Sequence, residues 1–164
     1  MYIQRFRKGS SYNAHPAMVS LNTAQPNITG REYPLVTIPF DTIVYDPSER
    51  WNLTLQGYSV ISTGLYRAHM NLLVDGLEPT HTLGSAYFVI SPGDKLYYTF
   101  IGSPFQQSTP DERLLSMQSD ALLYATAGEI ITPKFRVLSI AQTVGLQPST
   151  PYDFVTFCEI CKVG

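Results

Sequence analysis

The clearest pattern in the chain is the stretch Leu65 to Val74. Tyr66, Ala68, Met70, Leu72 and Val74 fall on one side of a period of two, and Leu65, Arg67, His69, Asn71 and Leu73 on the other. A strand with its even-numbered side in a core is expected. The same alternation in WNLTLQ places Trp51, Leu53 and Leu55 on one side and Asn52, Thr54 and Gln56 on the other, with Trp51 as a packing residue. AYFVI-SPGD-KLYYTFI reads as a hairpin, because Pro92-Gly93-Asp94 supplies a fixed φ followed by a residue free to take φ > 0. In IITPKFRVLSIA, Phe135 and Val137 oppose Lys134 and Arg136. Pro133 cannot donate to a ladder, so it is expected at that strand's start or at an edge.

Between these runs stand DPSE, STG, DGLEPTHTLGS, SPGD, GSPFQQSTPDE, TAGE and GLQPSTP, the spacing of an all-β sandwich or barrel. No long amphipathic helix is written anywhere. Residues 1–33 lack a sustained period and hold Gly9, Ser10, Ser11, Asn13, Pro16, Asn22, Pro26, Asn27 and Gly30. The expected organisation is therefore an extended N-terminal arm over 1–33 and one β-sandwich over 34–164.

Composition sharpens this picture. A chain of 164 residues suits one domain. Charged residues make up 15% of it, below the usual share of about 25%, while aromatics reach 12% with eleven tyrosines. Tyr97, Tyr98, Phe100 and Phe88 occupy both parities of one hairpin, so a neighbour is expected to cover some of them. A net charge of −2 argues against nucleic acid, which needs clustered Lys and Arg. Only Arg5, Arg7 and Lys8 form a basic run. No apolar run is long enough to span a bilayer, and MYIQRFRKGSSYNAHP has no hydrophobic segment for secretion, so neither membrane nor export is expected. Asn27-Ile28-Thr29 and Asn52-Leu53-Thr54 then count as chance matches to the glycosylation pattern.

Candidate chemistry is sparse. His15, His69 and His81 stand in no nucleophile or metal motif, and GxSxG, HExxH, Walker-type and GxGxxG patterns are missing. Asp46, Glu49 and Asp75 sit in turns without the spacing of a calcium loop. Cys158 and Cys161 share a strand, three residues apart on opposite faces, and read as reduced thiols. No enzyme, no cofactor and no obligatory metal are expected.

Phe40, Tyr45, Gly57, Tyr58, Gly64 and Tyr66, in that order, carry a resemblance. So do LLYATAGEIITPKFRVLS, with Ala127, Gly128 and Glu129 at its turn, and the closing Phe154, Val155, Thr156 and Phe157. The order resembles the jelly roll of tumour necrosis factor and of the globular heads of the first complement component, over Leu35 to Val163. Thr156 stands where that pattern has a glycine, and Ile61 where it has a proline. The resemblance implies a tumour necrosis factor-like jelly-roll sandwich that assembles as a compact homotrimer through one sheet face.

A signalling ligand or complement-type head would carry a secretion signal, a membrane stalk or a collagen-like repeat. The expected role is instead a virion structural protein made in the host cytoplasm: a phage capsid decoration (cement) protein contacting the major capsid protein or neighbouring virion subunits through Arg5, Arg7 and Lys8. The alternative is a receptor-binding module of a fibre or spike, using DGLEPTHTLGS and GSPFQQSTPDE. Arg67, His69, Asn71 and Glu159 are the candidate trimer-interface residues, with Glu159 as acceptor for Arg67. Charging of His69 in mild acid is expected to loosen the trimer.

Overall fold

The computed structural model describes residues 16–29, 35–76, 83–93, 95–101, 115–138, 144–150 and 156–163. Among them stand thirteen strands and no helix: β1 (Ala17–Ser20), β2 (Gln25–Thr29), β3 (Val36–Thr37), β4 (Thr42–Tyr45), β5 (Trp51–Asn52), β6 (Gly57–Ser59), β7 (Gly64–Asp75), β8 (Leu83–Ser91), β9 (Lys95–Ile101), β10 (Leu115–Ala125), β11 (Ile130–Leu138), β12 (Val144–Leu146) and β13 (Phe157–Lys162).

They form two antiparallel sheets. In the larger, β10 lies along one edge of β7, and the other edge of β7 is shared by β13 and, at its C-terminal end, β12. From β13 the sheet continues through β1 to β4, and from β12 to β2. The smaller sheet runs β5-β6-β11-β8-β9, with β3 also paired to β11.

The alternation in β7 is borne out: Tyr66, Ala68, Met70, Leu72 and Val74 are all buried. They meet Met117 and Leu123 of β10 and, from the smaller sheet, Phe88, Ile90, Ile131, Phe135 and Val137 in one core. Tyr58 and Tyr66 touch edge to face across it at 5.8 Å. The β8–β9 hairpin forms as expected, with Gly93 at φ +114° in its turn. Gly57 is required sterically, since a Cβ there would stand 2.6 Å from Ile130 Cγ2 and 3.2 Å from the Ile131 carbonyl.

Three local expectations change. Ala17–Ser20 and Gln25–Thr29, read as arm, are strands of the larger sheet, and Ala17, Val19 and Leu21 are core residues. Both strands are short, and Pro26 and Asn27 within β2 mask its period. WNLTLQ is not one strand. It stops after Asn52, whose side-chain oxygen accepts the N–H groups of Thr54 and Leu55 at 2.9 Å and turns the chain. Leu53 and Leu55 are consequently exposed.

Pro133 lies mid-strand in an interior strand. Its carbonyl accepts the Ile38 N–H at 3.2 Å on the β3 side, so its nitrogen faces that same side. There β6 pairs only up to Ile131 and β3 only from Lys134, which leaves a gap where no donor is needed. The smaller sheet's interior strand β8 is buried on both faces. Ser85, Tyr87 and Val89 are covered opposite the core face, and the Arg136 guanidinium lies 5.2 Å from the Tyr87 ring centre.

Candidate functional site: one face of the larger sheet

Because the even-numbered side of β7 is in the core, its odd-numbered side and the residues in register on β10 and β13 form the outward face. Arg67, His69 and Asn71 are therefore on one surface with Glu159. Antiparallel register arranges this face in cross-strand rows. Leu65 stands beside Tyr124, with Val163 donating its N–H to the Leu65 carbonyl at 2.8 Å. Next comes the row Cys161–Arg67–Leu122, then Glu159–His69–Asp120, then Phe157–Asn71–Gln118.

The rows differ in character. At one end Leu65, Leu122, Tyr124 and Val163 are all exposed, Leu122 to 61% and Tyr124 to 54%. An apolar end of this kind on a three-stranded surface is what a covering partner removes from water.

The middle is charged. The guanidinium of Arg67 holds the Asp120 carboxylate in a fork, Nη2 to Oδ2 at 2.7 Å and Nε to Oδ1 at 3.2 Å. The acceptor of Arg67 is thus Asp120, diagonal to it on β10, and not Glu159, which holds the equivalent diagonal place on β13. Asp120 was missed in the sequence because β8 and β9 stand between β7 and β10 in the chain, so their register cannot be read from it. The Arg67 hydrogen bonds hold the Asp120 carboxyl below its usual range, with its burial opposing and the Arg67 charge adding to the effect. His69 Nδ1 lies 3.9 Å from the same carboxylate and makes no hydrogen bond, while its ring tilts against Phe157 at 5.5 Å. Glu159 sits directly opposite His69 on β13.

At the polar end Asn71 is buried and accepts the Ser116 hydroxyl at 2.9 Å. Cys158 and Cys161 are both free thiols, Cys158 in the core and Cys161 on the outward face, and burial pushes both thiols upward. Asp46 and Asp75 serve turns: Asp46 accepts the Trp51 N–H at 2.6 Å, and Asp75 the Gly76 N–H at 2.6 Å. Among the described residues no three His, Cys, Asp or Glu groups converge on a common point. Arg5, Arg7, Lys8, His15, His81, Phe154, Val155 and most of the two distal loops lie outside the described residues.

No protein family and no curated protein matches the chain. Solved structures do. Murine APRIL superposes with a TM-score of 0.60 at 14% identity, covering 92% of this chain and 99% of that one. An Eiger TNF from S. frugiperda gives 0.57 at 18% identity over 92% and 93%. The globular domain of the zebrafish complement 1qA protein gives 0.55 at 6% identity over 91% and 96%. At these identities the likeness is one of fold, and on it the chain is an all-β jelly roll of the kind shared by tumour necrosis factor and the complement globular heads.

Proposed function

We propose that this protein is a non-catalytic, homotrimeric jelly-roll module of a virion exterior, a capsid decoration protein. The observation that carries the trimer is the apolar end of the β10–β7–β13 face: Leu65, Leu122, Tyr124 and Val163 lie together and exposed on the face through which the resemblance implies assembly. The charged band beside it neutralises its own arginine through Asp120, which lowers the cost of covering the face. The decoration role is supported by the basic, Gly/Ser-rich segment ahead of β1. It gives a symmetric trimer three tethers toward neighbouring virion subunits such as the major capsid protein.

Sedimentation of the purified protein tests the trimer. A trimer is expected for the parent and a monomer for Leu122→Glu, and a parent that remains monomeric at high concentration overturns it. A particle map tests the placement: density on the shell lattice is expected, whereas density at a fibre tip would make the protein the receptor-binding module instead.

A further inference from the structure

The segment between β4 and β6 concentrates buried polar atoms. Asp46 Oδ1, Arg50 Nε, Trp51 Nε1 and Gln56 Oε1 are all shut off from bulk solvent and have no hydrogen-bond partner in the protein. A native fold leaves only a few such atoms per hundred residues, and each ordinarily finds water or a ligand. Here they stand together between residues 46 and 56. Trp51 is only 6% exposed, so its indole N–H is enclosed.

The bonds that these side chains do make fix which way each group points. Asp46 Oδ2 accepts the Trp51 backbone N–H at 2.6 Å, which holds the carboxylate against the start of β5. Gln56 Nε2 donates to the Phe40 carbonyl at 2.9 Å and to the Leu53 carbonyl at 2.6 Å, so its amide oxygen is set as an acceptor. The Phe40 ring meets the Trp51 ring edge to face at 5.8 Å. Contacts thus run from Asp46 through Trp51 and Phe40 to Gln56, with Arg50 next to Trp51 in the chain. Burial pushes the phenol of Tyr58, the β6 partner of Trp51, upward, and the charges of Arg50 and Asp46 both reach it, in opposite directions.

Donor and acceptor chemistry selects the occupant. Arg50 Nε and Trp51 Nε1 donate, while Asp46 Oδ1 and Gln56 Oε1 accept. A cation here would face two N–H groups, and an anion would face a carboxylate oxygen. The opposite charges of Asp46 and Arg50 form no direct ion pair, an arrangement that a bridging water completes. Water is neutral, accepts two hydrogen bonds and donates two, and so answers this set of groups in an enclosed place.

We propose that the β4–β6 segment is a site for internal water, which joins Asp46 Oδ1 and Gln56 Oε1 to the N–H groups of Arg50 and Trp51. The bound water helps to pin a segment that holds two non-glycine residues in the left-handed region, Glu49 at φ +52° and Gln56 at φ +51°. The site borders β5, at the edge of the smaller sheet, and stands whether or not the trimer and the virion placement do.

Trp51 is the chain's one tryptophan, so its indole N–H gives a single signal in the isotope-labelled full-length protein. A water-selective nuclear Overhauser measurement is expected to show contact between that proton and a water molecule, with the sign of a long-lived rather than a bulk one. Asp46→Asn is the second arm. Its oxygen keeps the bond to the Trp51 backbone N–H, and its amide nitrogen replaces Oδ1, which turns an acceptor into a donor at nearly constant shape. The contact is expected to be lost. An indole proton without water contact in the parent, or an unchanged contact in Asp46→Asn, would overturn the site, as would a crystal structure in which the four atoms pair directly with one another.

Discussion

Arg67 and Asp120 show how one register fact changes the chemistry of a residue. Seen in sequence, Arg67 is a cation in search of an acceptor; in the fold it is already held by two hydrogen bonds within its own subunit. The side chains are 61% and 49% exposed, so in the isolated subunit the pair contributes less than about 1 kcal/mol. Its pH dependence has a definite sign. The Asp120 carboxyl is depressed from 3.8 chiefly by the Arg67 hydrogen bonds, so its contribution is fully present above that value and is lost as pH falls through the lower folded value. Asp120→Asn is therefore expected to unfold at slightly lower urea than the parent at pH 7, with the difference vanishing near about pH 2. Both measurements are made at one protein concentration, and a gap that persists in strong acid would remove Asp120 from this role.

Between elements, the join of β13 to its surroundings rests on Thr156. Its hydroxyl donates to the Gln147 carbonyl at 2.6 Å and accepts the Leu73 N–H at 3.1 Å, while its backbone carbonyl accepts the Leu21 N–H at 3.0 Å. Ser149 closes the knot from both sides: its hydroxyl donates to the Thr156 carbonyl at 2.9 Å and accepts the Thr156 N–H at 3.1 Å. Thr156→Val keeps the shape and orphans the Gln147 carbonyl and the Leu73 N–H. A loss of about 1–3 kcal/mol in urea unfolding is expected, and a variant as stable as the parent would show the hydroxyl to be idle. This same position explains what the sequence hid. A threonine where the resemblance has a glycine looks like a defect until Leu73, 83 residues away, and Gln147 are brought beside it. β7 and β11 were legible because a period of two shows in each, over Leu65 to Val74 in β7 and over Lys134 to Val137 in β11. β1, β2 and the turn after Asn52 were not, because two to five residues hold too little period to outweigh a proline or an Asx turn. On the outward face, Arg67, His69 and Asn71 were found by parity and Glu159 through the resemblance, whereas Asp120, Leu122 and Tyr124 needed the register of β10.

For the whole molecule, the charged band decides how the proposed assembly through this face responds to salt. The fold adds Asp120 to the band of Arg67, His69 and Glu159, so each copy presents one guanidinium, two carboxylates and one imidazole. Counting the guanidinium against the two carboxylates leaves one negative charge per copy, and in the proposed trimer three such bands would repel one another. Added salt screens that repulsion. The proposed trimer is therefore expected to tighten as salt is raised, by about three- to tenfold in its dissociation constant, the size of one exposed charge interaction of about 1 kcal/mol. Glu159→Gln removes the unbalanced charge and is expected to show a flat profile over the same interval. Sedimentation equilibrium of both proteins at low and high salt decides it, and a parent trimer that loosens as salt rises, or a variant that tracks the parent, would remove Glu159 from the band's charge balance.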